Sequence, residues 1–204
     1  MADKETKTIL FATHNHGKAL EMNAMLAPLG FRVITADKLG LDMSQAKETA
    51  DTFKGNSLIK ARYAYRMIRG AYPVLADDSG ICFTGLGGFP GVHSARWTVD
   101  GDSSYLAKNN KILELLKGNP DRGALFECVL TLIDDKGEHI FSGECRGRVA
   151  DRPSQAKNGF GYDPIFFCPE IGKTFADATT QEKDGVSHRG KAVKLLLDYL
   201  GKAK

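Results

Sequence analysis

Short apolar runs, each followed by a stretch with helical spacing, constrain the fold of this chain most strongly. Thr8–Ala12 is such a run and is typical of a buried strand. Beyond it, Met22, Met25, Leu26 and Leu29 recur at the spacing that places apolar side chains on one helix face. A strand followed by an amphipathic helix indicates an α/β architecture.

The same alternation continues along the chain and then changes to a hairpin. The predicted strands are Phe31–Ala36 and Pro73–Ala76, and the predicted helices are Leu58–Ile68, Ser103–Leu116 and a last helix that follows Ser187. Ala124–Asp134 and Glu138–Val149 predict a β-hairpin around Asp135–Gly137. Because strands alternate with helices first and pair in a hairpin later, we expect an α/β fold with a mixed sheet. The chain length of 204 residues suits a single domain over residues 1–204.

Composition excludes some classes of function. The net charge of +3 is far from the basic footprint of a nucleic-acid-binding protein. Neither an apolar signal segment near Met1 nor a run long enough to span a membrane is found in the sequence, so we expect a cytoplasmic protein. The four cysteines form no Cys-x-x-Cys pair, and we expect reduced, partly buried thiols.

The first candidate site is the amino-terminal loop, Thr13–Lys18, which joins the first strand to the first helix. Ligands collect at the carboxyl ends of strands in α/β sheets, and helix N-termini offer free N–H groups to phosphate. Gly17 permits close approach of the backbone, and Lys18 adds a positive charge. Ala19 stands where a Walker loop has Ser or Thr, so this loop is not a Walker loop. A simple turn with a polar cap is an equally good interpretation.

Two adjacent carboxylates, Asp77 and Asp78, follow the apolar strand Pro73–Ala76. Neighbouring carboxylates repel each other, and burial adds a cost that a divalent cation would relieve. Magnesium prefers such hard oxygen ligands. Since Asp-Asp-Ser-Gly is also favourable turn chemistry, a solvated turn is the alternative interpretation.

The aromatic loop, Asn158–Pro164, places two glycines around Phe160. Exposed aromatic rings on such a loop would stack on a nucleobase, and Asp163 would accept hydrogen bonds from ring N–H groups. The alternative is a tight turn with its aromatic side chains buried.

Three basic residues, His188, Arg189 and Lys191, follow the predicted N-cap Ser187. The helix dipole disfavours positive charge in a first turn, and an electron-rich ligand such as phosphate would compensate. A solvated basic surface is the alternative.

The order of these motifs resembles the inosine/xanthosine triphosphate pyrophosphatase family. The matching stretches are Thr13-x-Asn15-x-x-Lys18, Glu48–Phe53, Lys60–Arg62, Ala76–Gly80, Pro90–Arg96, Phe160–Asp163, Ser187–Arg189 and Gly190–Ala192. The resemblance implies hydrolysis of ITP, dITP and XTP to the monophosphate and pyrophosphate, a magnesium cofactor and a homodimer. It also implies an elongated α/β fold with two lobes around a central nucleotide-binding cleft.

Roles for individual residues follow from the resemblance. Asp78 would be the proton acceptor and, with Glu48, a magnesium ligand. The residues implied in substrate binding are Thr13, His14, Asn15, His16, Gly17, Lys18, Ser79, Phe160, Gly161, Tyr162, Asp163, Lys183, His188 and Arg189. The resemblance therefore assigns the base, not phosphate, to Arg189.

Some positions depart from the family pattern. Gly55 stands where the family often has glutamate, Trp97 where tyrosine is usual, and Pro153–Lys157 lacks a common glycine. A nucleotide sensor without catalysis would need no metal carboxylates, and a phosphatase would differ only in where water attacks. Both remain alternatives at the level of sequence.

Overall fold

The computed structural model describes residues 7–13, 15–156 and 158–202. These residues contain a mixed seven-stranded sheet. Its strands are β1 (Lys7–Phe11), β2 (Phe31–Thr35), β3 (Val74–Phe83), β4 (Gly123–Asp134), β5 (Gly137–Val149), β6 (Phe166–Cys168) and β7 (Lys173–Thr174). Their order is β2-β1-β3-β4-β5-β6-β7. β1 pairs in parallel with β2 and β3, whereas β6 pairs antiparallel with β5 and β7. The predicted mixed sheet is confirmed.

Five α-helices occur in the described residues. They are α1 (His16–Leu26), α2 (Phe53–Met67), α3 (Tyr105–Leu115), α4 (Thr180–Val186) and α5 (His188–Lys202). The first four begin at side-chain caps, which are Asn15, Thr52, Ser104 and Thr179. Ser187 accepts a hydrogen bond from the Gly190 amide, as expected of the predicted cap. None of the described helices has the length and apolar character needed to cross a bilayer.

The chain divides into two compact units, each with its own core. Unit 1 comprises Met1–Asp78, Val129–Phe141 and Val193–Lys204, and unit 2 comprises Ser79–Cys128 and Ser142–Ala192. The core of unit 1 includes Leu10, Ala36, Ala61, Val74 and Ile133. The core of unit 2 includes Ile81, Ile112, Phe126, Phe166 and Phe175. This division agrees with the two lobes that the resemblance implies.

Two buried cysteines belong to the core of unit 2. Cys145 on β5 and Cys168 on β6 have no accessible surface, and their Sγ atoms lie 3.8 Å apart. All four cysteines are free, and only Cys82 is partly accessible.

Strand β3 is longer than the sequence indicates. It continues through Asp77 and Asp78 to Phe83, so the prediction that these carboxylates follow the end of a strand is wrong. Burial of both side chains also excludes the solvated turn. One reason is the Ser94 hydroxyl, which accepts a hydrogen bond from the Ile81 amide at 2.9 Å and donates to the Gly91 carbonyl. Ser94 therefore supplies a hydrogen-bond partner to the backbone of Ile81, which directly follows the Asp-Asp-Ser-Gly stretch.

Gly55, in the first turn of α2, generates a stability prediction. A Cβ atom there would lie 2.4 Å from the Cβ of Ala50, too close without movement of the preceding segment. We expect Gly55→Ala to lower the free energy of unfolding by about 1–2 kcal/mol, as overpacking does, despite the helix propensity of alanine. A Cβ added at Gly201 in α5 would meet no atom within 4 Å, so Gly201→Ala is the matched control and should be neutral or stabilising. Urea denaturation measures both, and equal stability of the two variants would contradict the steric argument.

Candidate active site

The two carboxylates of β3 lie in unit 1 and bind different lysines. Asp77 is 3% exposed and Asp78 is 8% exposed. The Lys18 ammonium, from α1, lies 2.5 Å from Asp77 Oδ2, and the Lys60 ammonium, from α2, lies 3.4 Å from Asp78 Oδ1. Successive side chains of a strand point to opposite faces, so one helix neutralises each carboxylate.

Lys60 also contacts Glu48, which precedes α2. Its Nζ atom lies 2.7 Å from Glu48 Oε1, so one ammonium group is shared by Glu48 and Asp78. Burial, the largest influence, lowers the pKa of Lys60, but the charges of Asp77, Asp78 and Glu48 together raise it overall. The lysine is therefore fully charged near neutral pH and holds the two carboxylates in one cluster.

One oxygen of Asp78 is buried without a hydrogen-bond partner among the described residues. This atom is Oδ2, whereas Oδ1 contacts Lys60. Burial raises the pKa of Asp78; Lys60 opposes the shift, and the charges of Glu48 and Asp77 add to it. A buried acceptor without a donor is costly unless a ligand supplies the missing interaction.

The carboxylates of Glu48 and Asp78 fit a magnesium ion. The described residues contain no group of three or more His, Cys, Asp or Glu side chains that could hold a metal ion. Magnesium at a nucleotide site needs only one or two protein carboxylates, because water and substrate phosphates complete its coordination. The unpartnered Asp78 Oδ2 is an oxygen donor of the kind that this cation prefers.

The amino-terminal loop caps α1. Thr13 Oγ1 accepts from the Asn15 amide, and Asn15 Oδ1 accepts from the Lys18 amide. Asn15, His16 and Gly17 are exposed, and His14 lies outside the described residues. A polar cap is thus present, and the exposed start of a helix remains available to an anion, so the two interpretations of this loop are compatible.

The aromatic loop, in unit 2, divides its rings between surface and core. Phe160 is 55% exposed, whereas Tyr162 is only 3% exposed. Asp163 Oδ2 accepts hydrogen bonds from the Phe160 amide at 2.7 Å and from Lys183 Nζ at 2.5 Å. This oxygen therefore fixes the loop and the lysine. Tyr162 is buried, as the tight-turn interpretation expects, whereas Phe160 is exposed, as stacking on a base would require.

Cations from α4 and α5 surround the exposed Phe160 ring. Lys183 Nζ lies 4.8 Å from the ring centroid, and the Arg189 guanidinium carbon lies 5.8 Å from it. The two helices can meet because Gly190 has no side chain: a Cβ there would lie 1.9 Å from the Asp184 carbonyl oxygen. The result is an aromatic face beside two hydrogen-bond donors.

His188 and Ser79 belong to the same unit. The His188 ring stacks on Phe126 with centroids 4.6 Å apart and planes 7° apart. Arg189 donates a long hydrogen bond of 3.5 Å to the Ser79 hydroxyl. As expected, His188 and Arg189 lie in the first turn of α5.

Sequence reasoning missed the residues that support these groups. Lys60 was part of a matching stretch without a role, and nothing connected Phe126 with His188 or Asp77 with Lys18. The only available signal for the lysines was the need of two buried carboxylates for counter-charges.

Comparison with known proteins adds independent findings. The Ham1 family model matches residues 9–199. A dITP/XTP pyrophosphatase of Ralstonia nicotianae is 44% identical over 199 residues, which cover 95% of this chain and 96% of that protein. A dITP/XTP pyrophosphatase of Yersinia pestis is 43% identical and covers 94% of this chain and 97% of its own. The structure of a HAM1 protein from Coxiella burnetii superposes with a TM-score of 0.87 at 36% identity, over 96% of this chain and 99% of that one.

Removal of the Lys60 charge tests the acidic cluster. Lys60→Met leaves Glu48 and Asp78 without their shared cation, so we expect the free energy of unfolding to fall by about 3 kcal/mol, the low end for a buried pair that loses one partner. Magnesium would then replace the missing charge, and thermal unfolding should show a larger magnesium-dependent stabilisation in the variant than in the unmodified protein. Lys54→Met, an exposed lysine on the same helix, is the matched control. Equal magnesium-dependent shifts in both variants would argue against a cation site at these carboxylates.

Proposed function

The chain belongs to the Ham1 family, and on that premise we propose that it hydrolyses non-standard purine nucleoside triphosphates such as ITP, dITP and XTP. The products are the nucleoside monophosphate and pyrophosphate, so the reaction removes these nucleotides from the pool. The family match and the names of the relatives confirm the predicted enzyme class, a nucleoside triphosphate pyrophosphatase. The sensor without catalysis is thereby set aside.

The observation that carries the substrate class is the exposed Phe160 ring beside Lys183 and Arg189. An exposed aromatic face offers stacking to a purine, which contributes about 1–3 kcal/mol per base. The two cations supply only hydrogen-bond donors, which match acceptor atoms on the base edge. An aromatic face with donors beside it therefore favours a purine that carries keto oxygens.

Donors at the base edge would also discriminate against adenine. Hypoxanthine and xanthine present a keto oxygen where adenine presents an amino group. We assign recognition of this oxygen to His188 and Arg189, whose first-turn position also suits an electron-rich ligand. With adenine a donor would face a donor, and an unpaired buried donor costs about 1–3 kcal/mol.

Residues of unit 1 would hold the triphosphate and magnesium. Glu48 and Asp78 would be the metal ligands, supported by the partnerless Oδ2 of Asp78 among the described residues. When bound, the ion supplies Lewis-acid stabilisation of charge on the phosphate oxygens. The loop Thr13–Lys18 would bind phosphate at the start of α1.

Asp78 would also accept the proton of the attacking water. A general base works best when its pKa approaches the working pH, and burial raises the pKa of this carboxyl. Lys60 holds the carboxylate in place and keeps it charged.

Four further expectations stay predictions for this chain. These are the homodimer, the cytoplasmic location, the single domain over 1–204 and the nucleotide-binding cleft. No nucleic-acid partner is expected from the modest net charge of +3.

The proposed function is tested by product analysis. The protein is incubated with ITP, dITP, XTP, ATP and GTP, with magnesium and with an excess of chelator. Pyrophosphate from ITP, dITP or XTP, little from ATP, and none after chelation are the expected results. Release of single phosphates would identify a phosphatase instead, and no turnover of any nucleotide would refute the proposal.

Asp78→Asn tests the proton acceptor. We expect turnover of ITP to fall roughly hundred- to ten-thousandfold, the usual contribution of a general base, while binding of the nucleotide remains measurable. Asp198→Asn, an exposed aspartate of α5, is the control and should retain full activity. Near-normal turnover of Asp78→Asn would remove Asp78 from the centre of the reaction.

Arg189→Ala separates the base from the phosphates. If Arg189 binds the base, the KM for ITP should rise roughly ten- to a hundredfold, the loss of a charged hydrogen bond, whereas inhibition by pyrophosphate should hardly change. Arg146→Ala, an exposed arginine of the same unit, controls for net charge. Equal weakening of ITP and pyrophosphate would assign Arg189 to phosphate.

A further inference from the structure

Helix α3 lies against the aromatic loop although no motif marks it as part of a site. Its residues Tyr105, Lys108 and Asn109 each contact the loop or the segment that supports the loop. All of these residues belong to unit 2, so the arrangement is internal to one compact body.

The most direct contact is a hydrogen bond from Asn109. Its side-chain amide Nδ2 donates to the Gly161 carbonyl oxygen at 3.0 Å, and the residue is 5% exposed. Gly161 immediately follows the exposed Phe160 and has a φ of +68°, in the left-handed region. This bond therefore holds the backbone at the residue that directly follows Phe160.

A second contact places an aromatic ring on the same turn. The Tyr105 ring packs edge-to-face on Tyr162, with centroids 5.4 Å apart at an angle of 83°. A Cβ at Gly161 would lie 3.6 Å from the Tyr105 ring, so this ring covers the turn from the helix side.

Lys108 strengthens the support from behind. It is 1% exposed, and its Nζ donates to the Ala95 carbonyl at 2.9 Å. The segment around Ala95 holds the Tyr162 hydroxyl, which donates to the Ser94 carbonyl at 2.7 Å and accepts from Trp97 Nε1 at 2.5 Å. One helix thus anchors both the aromatic loop and the segment to which that loop is tied.

We propose that Asn109 is a positioning residue for base recognition, because it fixes the Gly161 carbonyl and thereby the stacking face of Phe160. This inference rests on the proposed function, in which the aromatic loop binds the base. Asn109 is only 5% exposed and would act on the base through Gly161. Its effect should therefore fall on base binding and not on the chemical step at Asp78.

The test compares two neighbouring asparagines of α3. Asn109→Ala leaves the Gly161 carbonyl without its donor, and we expect the KM for ITP to rise roughly three- to tenfold with kcat within about twofold of normal, as the loss of one neutral hydrogen bond implies. Asn110 is exposed on the same helix, and Asn110→Ala should leave both constants unchanged. A purely structural role would lower the thermal unfolding midpoint of Asn109→Ala without changing the KM, and that result would overturn the proposal.

A second variant covers the case in which Asn109→Ala fails to fold. Tyr105→Leu removes the edge-to-face contact from a partly exposed position without burying a polar group. It should raise the KM in the same direction, and an unchanged KM there would overturn the proposal for α3 as a whole.

Hydrogen exchange separates this inference from the proposed function. Backbone amides of the aromatic loop should exchange faster in Asn109→Ala than in Asn110→Ala, whether or not the protein hydrolyses ITP. Absence of turnover in the unmodified protein would refute the proposed function, and the exchange rates would still show whether Asn109 orders the loop. Equal exchange in both variants would overturn the positioning role.

Discussion

The ammonium group of Lys60 is the interaction on which the acidic centre of this protein depends. Two carboxylates with little access to water, Glu48 and Asp78, share this one cation, and the neighbouring Asp77 has Lys18. A buried carboxylate without a counter-charge would cost several kcal/mol. Helices α1 and α2 each contribute one lysine, and these two cations allow Asp77 and Asp78 to lie side by side within strand β3.

Most regular elements were predictable because their residues repeat at the period of their structure. The helices α1, α2, α3 and α5 and the β4–β5 hairpin lie where apolar spacing and turn residues indicate. Helix α4 has seven residues, too few for a recognisable apolar stripe. The course of β3 through Asp77 and Asp78 was not predictable, since the local sequence favours a turn and only distant partners, Lys18, Lys60 and Ser94, stabilise the extended chain.

The candidate site likewise contains residues that the sequence could predict and residues that it could not. Motif order could supply the residues with chemical roles, such as Asp78, Phe160 and Arg189. It could not supply their supports, because Asn109 reaches Gly161 across 52 positions of sequence and Phe126 stacks on His188 from another strand. Nor could it decide between exposed and buried rings in the aromatic loop. A glycine-rich loop has no periodic pattern. Tyr162 is buried through tertiary contacts with Ser94 and Trp97, which lie far from it in sequence.

The two neighbouring free cysteines of unit 2, Cys145 and Cys168, bear on how this protein responds to oxidation. Thiol–disulfide exchange proceeds through a thiolate, and burial raises the pKa of the Cys145 thiol so that this anion is scarce at neutral pH. The Cys168 sulfur at 3.8 Å has no accessible surface either, which keeps dissolved oxidants away from both atoms. Proximity alone therefore does not make this pair a redox couple: the two sulfurs behave as small apolar groups, and the fold should keep its packing in an oxidising solution.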